Sequence, residues 1–356
     1  MKKPSEILVR IPKFAEFLVK KPDFGRKVVD HHIRARFSRQ PLIRAIEYGI
    51  TYHCQATCDK CSAVKMLNPG RDVLTHGQVR DLADDCYRLG TYEANITGGE
   101  PLLARELEDL ITYFHPGSTF IGLNTNGALL DRQRILSLRE AGVDLLKISM
   151  DSPVGCEHDA SRGIEGLHDH IIGVMRMVRE IRGIRAHICM VATREAVDSG
   201  NVGRTLETCK QHDATMGIVF PAATGGWTRK HEVLLDTSQR AQLDRIGRDP
   251  DVFVQGNLGS GDFLCPCGTR EIYISCYGDV IPCPFIQISF GNVADERFAS
   301  IYRRMVSWKS TTRQDVCSSA EDPAFVSEFV DPMRDAEHTP VRYDEHPAIG
   351  DVPGDG

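Results

Sequence analysis

Between residues 44 and 220, short apolar runs alternate with segments of helical spacing, six times over. Residues 44–51, 93–97, 120–124, 144–150, 187–192 and 216–220 read as strands. Between them, helical patterns cover 76–89, 103–114, 131–141, 165–181 and 201–211. The first carries Val79, Leu82, Ala83, Cys86 and Leu89 on one face and ends at Gly90. Six strand–helix repeats predict parallel strands with right-handed crossovers. Six are too few to close an eight-stranded barrel. The pattern therefore predicts an α/β fold built as a partial (β/α)6, open TIM-like barrel, with ligands at the carboxyl ends of its strands.

Beyond 220 the rhythm changes. Residues 221–260 read as a linker with one helix at about 237–247. Then come Cys265-Pro-Cys267-Gly268 and a hairpin from Arg270 to Cys283. In it Ile272 and Ile274 alternate with Tyr273 and Ser275, and Tyr277-Gly278-Asp279 makes the turn. A helix at about 296–308 precedes Cys317. The chain thus divides into 1–43, a basic helical segment; 44–220, the core barrel; 221–320, a linker plus a small extension; and 321–356, an acidic tail expected to be loosely ordered.

Charge sharpens the two ends. The net charge of −6 hides twelve Lys and Arg against four acids in residues 1–44, and ten acids against two Arg in 321–356. The start, with Ile7, Leu8, Ile11, Phe14, Phe17 and Leu18, suits peripheral contact with an anionic membrane face or packing on the core with charges outward. No apolar run is long enough to span a membrane, and no signal core follows the first residues, so the expected location is cytoplasmic. Twelve cysteines without an export signal point to metal ligation, not disulfides. Nothing points to a nucleic-acid partner.

The cysteines carry the chemistry. Cys54-Gln-Ala-Thr-Cys58-Asp-Lys-Cys61 follows the first predicted strand and places three thiols within eight residues. So short a loop can wrap three corners of one cubane iron–sulfur cluster. The next cysteine, Cys86, comes 25 residues later in a helical pattern. Three protein ligands leave one iron open to a reactant. The same residues also suit a structural zinc site with His53 as fourth ligand, or ordinary thiols.

Motifs at later strand ends decide among these. Thr97-Gly98-Gly99-Glu100-Pro101 ends the second strand, Asn124-Thr125-Asn126-Gly127 the third, and Ser149-Met150-Asp151 the fourth. Alone, each is explained by a tight turn or a helix cap. With the cysteine loop, the sequence resembles the radical S-adenosylmethionine (SAM) superfamily over about residues 44–320. The resemblance implies a [4Fe–4S] cluster held by Cys54, Cys58 and Cys61, with SAM chelated at its open iron. It implies that Gly98, Gly99 and Glu100 hold the methionyl amino group, and that Asn124 and Ser149 contact the ribose and the methionyl carboxylate. The implied reaction is reductive cleavage of SAM to methionine and a 5′-deoxyadenosyl radical, which takes a hydrogen atom from a substrate. An external electron donor of flavodoxin or ferredoxin type is implied too. One residue departs from the pattern. The position before the third cysteine, usually aromatic, is Lys60, which is left to reach a substrate anion or solvent.

The run from Cys267 through Gly278 to Cys283 resembles the opening of a SPASM or Twitch extension, here without the second cysteine-rich half. One auxiliary [4Fe–4S] cluster is implied, held by Cys265, Cys267, Cys283 and Cys317, with Cys276 as a substitute for Cys265 and a zinc ribbon as the other reading. If Cys276 is free, it is a candidate hydrogen donor. The expected substrate is a polar small molecule of sugar, aminocyclitol or nucleoside type, undergoing dehydrogenation or epimerisation. The alternatives are a ribosomal-peptide maturase of the SPASM type and an iron–sulfur redox sensor or scaffold.

Overall fold

The computed structural model describes residues 20–38, 41–255 and 265–349. Six parallel strands follow in chain order: β1 (Ala45–Thr51), β2 (Glu93–Gly98), β3 (Phe120–Thr125), β4 (Leu145–Ser149), β5 (Arg185–Val191) and β6 (Thr215–Val219). Each pairs with the next, as six strand–helix units require. The outer face of the sheet is apolar. Ile46, Tyr48, Ile121, Leu123, Ile148 and Ile188 pack into one core with the helices.

Two edges were not foreseen. β7 (Val252–Val254), inside the expected linker, adds to β6 in parallel. β8 (Glu271–Ile274) adds to β1 in parallel, Ala45 opposite Glu271 and Tyr48 opposite Ile274. β9 (Val280–Ile281) then folds back antiparallel on β8 around Gly278, which sits at φ +94°. The predicted hairpin is thus present, as part of the barrel sheet and not apart from it. It lies beside the strand that delivers the cysteine loop.

The helices are α1 (Pro22–Phe37), α2 (His76–Arg88), α3 (Leu107–Tyr113), α4 (Arg132–Ala141), α5 (Gly155–Arg162), α6 (Leu167–Glu180), α7 (Arg194–Asp198), α8 (Asn201–Gln211), α9 (Thr237–Ile246) and α10 (Phe298–Lys309). Short α5 escaped the sequence pattern. α2 starts with a capping box, Thr75 and Gln78 exchanging side-chain and backbone bonds. α1 seals the amino ends of the strands, far from the cysteine loop. Phe24 packs against Tyr92 and Phe120, and His31 Nδ1 lies 2.9 Å from the Gly90 carbonyl. The apolar positions from Ile7 to Leu18 lie outside the described residues. Among the described residues no helix is long and apolar enough to cross a membrane.

The tail corrects the expectation of loose order. From Ser318 to Ile349 it folds in short helical turns, and β11 (Val341–Arg342) pairs with β10 (Ile288–Ser289). Phe325, Val326, Val330 and Met333 are buried, and Phe325 and Phe329 pack against Trp308 of α10. The overall acidity hid this apolar spacing. Few residues are needed when each lands on a preformed aromatic wall.

Candidate active site

Beyond Thr51 the chain enters the loop carrying Cys54, Cys58 and Cys61, and the end of β2 is pressed against it. Gly99 N–H donates to the Thr51 carbonyl at 2.6 Å, and Glu100 N–H to the His53 carbonyl at 2.8 Å. A Cβ on Gly98 would run into the Thr51 oxygen, and one on Gly99 into the His53 oxygen. Gly98 also lies at φ +140°. Two glycines stand here because two backbones touch.

The three thiols act on one another electrostatically, so they share one locality. Burial, the largest influence, pushes the Cys54 and Cys61 thiols up. Donors reach two of the sulfurs: Asn126 Nδ2 lies 3.8 Å from Cys54 Sγ, and Arg162 Nη1 3.6 Å from Cys58 Sγ. Three thiols on one short loop, with a cation and an amide beside them, fit three corners of a cluster, although they are not drawn to the spacing of a single ion. Asn124 and Ser149 sit half-buried at the ends of β3 and β4, neither side chain engaged by another described residue.

Two sequence readings change. Glu100 is fully buried, and its carboxylate is held by neighbouring groups of the chain. Its Oε1 accepts from Leu102 N–H and the Thr125 hydroxyl, and its Oε2 from Asn126 N–H at 2.7 Å. It is a brace between the ends of β2 and β3, and burial raises its pKa although these donors oppose the rise. Lys60 is turned inward and not to solvent. Its Nζ lies 2.9 Å from Asp151 Oδ2 and also bonds the Ser161 hydroxyl. Arg162 Nε meets the same Asp151 oxygen at 2.6 Å. Burial alone would raise the Asp151 pKa, but the two cations outweigh it and hold the carboxyl well below its usual range. The ion triad ties the cysteine loop to α5 and the end of β4.

Sequence reasoning missed the strap over this loop. Gly226 N–H donates to the Cys61 carbonyl at 2.9 Å, and Trp227 Nε1–H to Asp59 Oδ2 at 3.2 Å. Gly225 and Gly226 lie so close to Cys61, Ser62 and Asp59 that a Cβ on either would clash with backbone. The paired glycines just past β6 were the available signal. The folded tail closes over the same region. Thr339 N–H donates to the Lys65 carbonyl at 2.9 Å, and Arg229 of the strap pairs with Asp335.

A second thiol group gathers in the extension. Cys267 is in hydrogen-bond contact with Cys265 and Cys283, and Cys317 feels the charges of both Cys265 and Cys283. The contact with Cys267, more than any charge, brings Cys265 down to about 6, while burial lifts Cys317 to about 12. Four thiols brought together from separate parts of the extension fit a metal centre. Among the described residues no three donors are drawn to the spacing of a single ion, so the thiols stand as an interacting set. Cys276 is outside it, so it does not take the place of Cys265 in the set. It is 1% exposed, in an apolar cluster with Tyr52, Met66, Tyr273 and Tyr277, with no face open to a substrate.

Comparison with known proteins agrees with this geometry. The radical SAM superfamily matches residues 48–195, and an iron–sulfur cluster-binding domain, SPASM, matches 265–319. An AdoMet-dependent heme synthase of Oleidesulfovibrio alaskensis is 26% identical over 296 residues, 74% of this chain and 75% of that protein. The mycofactocin maturase MftC of Mycolicibacterium smegmatis is 26% identical, over 67% of this chain and 64% of its own. The PqqA peptide cyclase of Gluconobacter oxydans is 26% identical, over 71% and 74%. Among solved structures, Streptococcus suis SuiB bound to its precursor peptide SuiA superposes with TM-score 0.62 at 13% identity, over 84% of this chain and 70% of that one. These likenesses extend over barrel and extension together. This chain belongs to the radical SAM superfamily: it is a radical SAM enzyme with a SPASM-type domain, and SAM and iron–sulfur clusters are its cofactors.

Proposed function

We propose that the substrate is a peptide, which this enzyme modifies after abstracting a hydrogen atom. One observation carries the reading. The PqqA peptide cyclase aligns with 71% of the chain, and SuiB bound to a precursor peptide shares its fold. The polar small-molecule substrate expected from sequence finds no such support.

Bound at an open iron, SAM supplies on one-electron reduction a 5′-deoxyadenosyl radical able to take a hydrogen atom from carbon. Everything else falls to this chain's residues. Cys54, Cys58 and Cys61 would hold the first cluster, steadied by Arg162 and Asn126. The backbone of Gly98 and Gly99, with the free side chains of Asn124 and Ser149, would hold SAM. The Lys60–Asp151–Arg162 triad fixes the loop, and the Gly225–Trp227 strap and the tail pack against it. Cys265, Cys267, Cys283 and Cys317 would hold the auxiliary cluster.

The test is direct. Short open reading frames beside the gene are made as synthetic peptides and incubated anaerobically with reconstituted enzyme, SAM and dithionite. A peptide that changes mass while its deuterium appears in 5′-deoxyadenosine bears the proposal out. Turnover of a deuterated sugar, aminocyclitol or nucleoside, with none of any peptide, contradicts it.

A further inference from the structure

Lys309, the last residue of α10, is fully buried. A buried ammonium is costly unless it is hydrogen-bonded and charge-compensated. Its hydrogen bonds are in place. Nζ donates to the Thr312 hydroxyl at 2.9 Å, the Ser318 hydroxyl at 3.0 Å and the Arg313 carbonyl at 3.5 Å. It also lies 5.5 Å from the centre of the Phe325 ring. Its compensating charge is missing. Among the described residues no carboxylate stands within ion-pair distance of it. The nearby Glu321 is engaged elsewhere, with Arg240 and with Cys317 N–H.

What Lys309 does face is the auxiliary thiol set. Its stem packs on Gly268, where an added Cβ would stand 3.2 Å from Lys309 Cγ. Ser318, which holds its Nζ, follows Cys317 directly and offers its backbone N–H to the Cys265 sulfur. Lysine, hydroxyl and thiols thus form one buried unit at the base of the extension.

We propose that Lys309 is the built-in counter-ion of the auxiliary cluster, compensating its negative charge and easing its one-electron reduction. Four thiolates around a [4Fe–4S] core carry net negative charge, and reduction adds one more unit. A fixed cation in a dry site stabilises the more negative state more strongly. This makes Lys309 a tuning residue, not a catalytic one. The inference rests on Cys265, Cys267, Cys283 and Cys317 being the ligands, and it is independent of the substrate.

The experiment uses the full chain with Cys54, Cys58 and Cys61 replaced by Ala, so that only auxiliary iron is counted. A dithionite titration followed by electron paramagnetic resonance compares Lys309, Lys309→Met and Lys309→Arg. Where the lysine form is half reduced, Lys309→Met should show a ratio of reduced to oxidised cluster lower by about tenfold. Lys309→Arg should stay near the lysine form. Loss of iron from the Met variant with retention in the Arg variant also supports the counter-ion role, since Lys309→Arg keeps the positive charge that Lys309→Met removes. An unchanged titration in an iron-retaining Met variant overturns it. Loss of iron from both variants overturns it too, by showing that shape alone matters. If the lysine form itself holds no iron, the ligand assignment fails first.

Discussion

Asp151 illustrates how much at this site depends on single buried charges. It neutralises Lys60 and Arg162 together, and both cations are nearly as buried as it is. Asp151→Asn would leave both uncompensated, a loss of about 3–5 kcal/mol by analogy with broken buried pairs. The variant should unfold at correspondingly lower denaturant, and its first-site iron should fall while second-site iron persists. Two histidines set a pH dependence. Burial brings His158 down to about 4 and His187 to about 3. Their folded pKa values lie below the unfolded value near 6.5, so the unfolded chain binds protons first. Their contribution is complete above about pH 6.5 and is lost as pH falls toward the folded values. At pH 5 each costs roughly 2 kcal/mol relative to neutral pH. Denaturant melts of His187→Gln at pH 7 and pH 5 should show a smaller pH 5 penalty than the parent by about that amount. An identical penalty would remove His187 from the account. At this scale the three loop cysteines were legible because their spacing is local. The parts of Lys60 and Glu100 were not, since their partners Asp151, Thr125 and Asn126 are distant in sequence and only folding brings them close.

Among the elements, the six strand–helix units could be read from periodicity, because each buries one apolar face at its own spacing. β7 could not, and β8 was legible only as a hairpin strand, without its place beside β1. They are three and four residues long, and their parallel pairing with β6 and β1 is decided by partners far along the chain. The tail misled for a different reason. Its charge is conspicuous, while its anchoring residues are few. Phe325→Ala should therefore destabilise the protein by about 3 kcal/mol, as buried aromatic truncations do. A variant with unchanged stability would mean that the tail adds nothing to the fold. The strap makes a sharper prediction. Gly226→Ala would force a methyl group against the Asp59 carbonyl. Calorimetric SAM affinity of the reconstituted variant should drop at least tenfold with second-site iron intact, and unchanged affinity would place the strap outside the SAM pocket.

At the level of the whole molecule, one continuous sheet joins the cysteine loop after β1 to the hairpin of the extension, since β8 pairs with β1. Strap and tail then close over the loop from the other side. This arrangement puts two thiol groups on one scaffold while keeping their ligands distinct. We propose that Cys54, Cys58 and Cys61 hold the SAM-cleaving cluster and that Cys265, Cys267, Cys283 and Cys317 hold another. Iron content and 5′-deoxyadenosine formation, measured together on the Cys54/Cys58/Cys61→Ala protein after anaerobic reconstitution, test it most directly. About four irons per chain should remain, as expected for one intact [4Fe–4S] cluster, with no 5′-deoxyadenosine formed. Undiminished SAM cleavage, or a variant stripped of all iron, would contradict the claim.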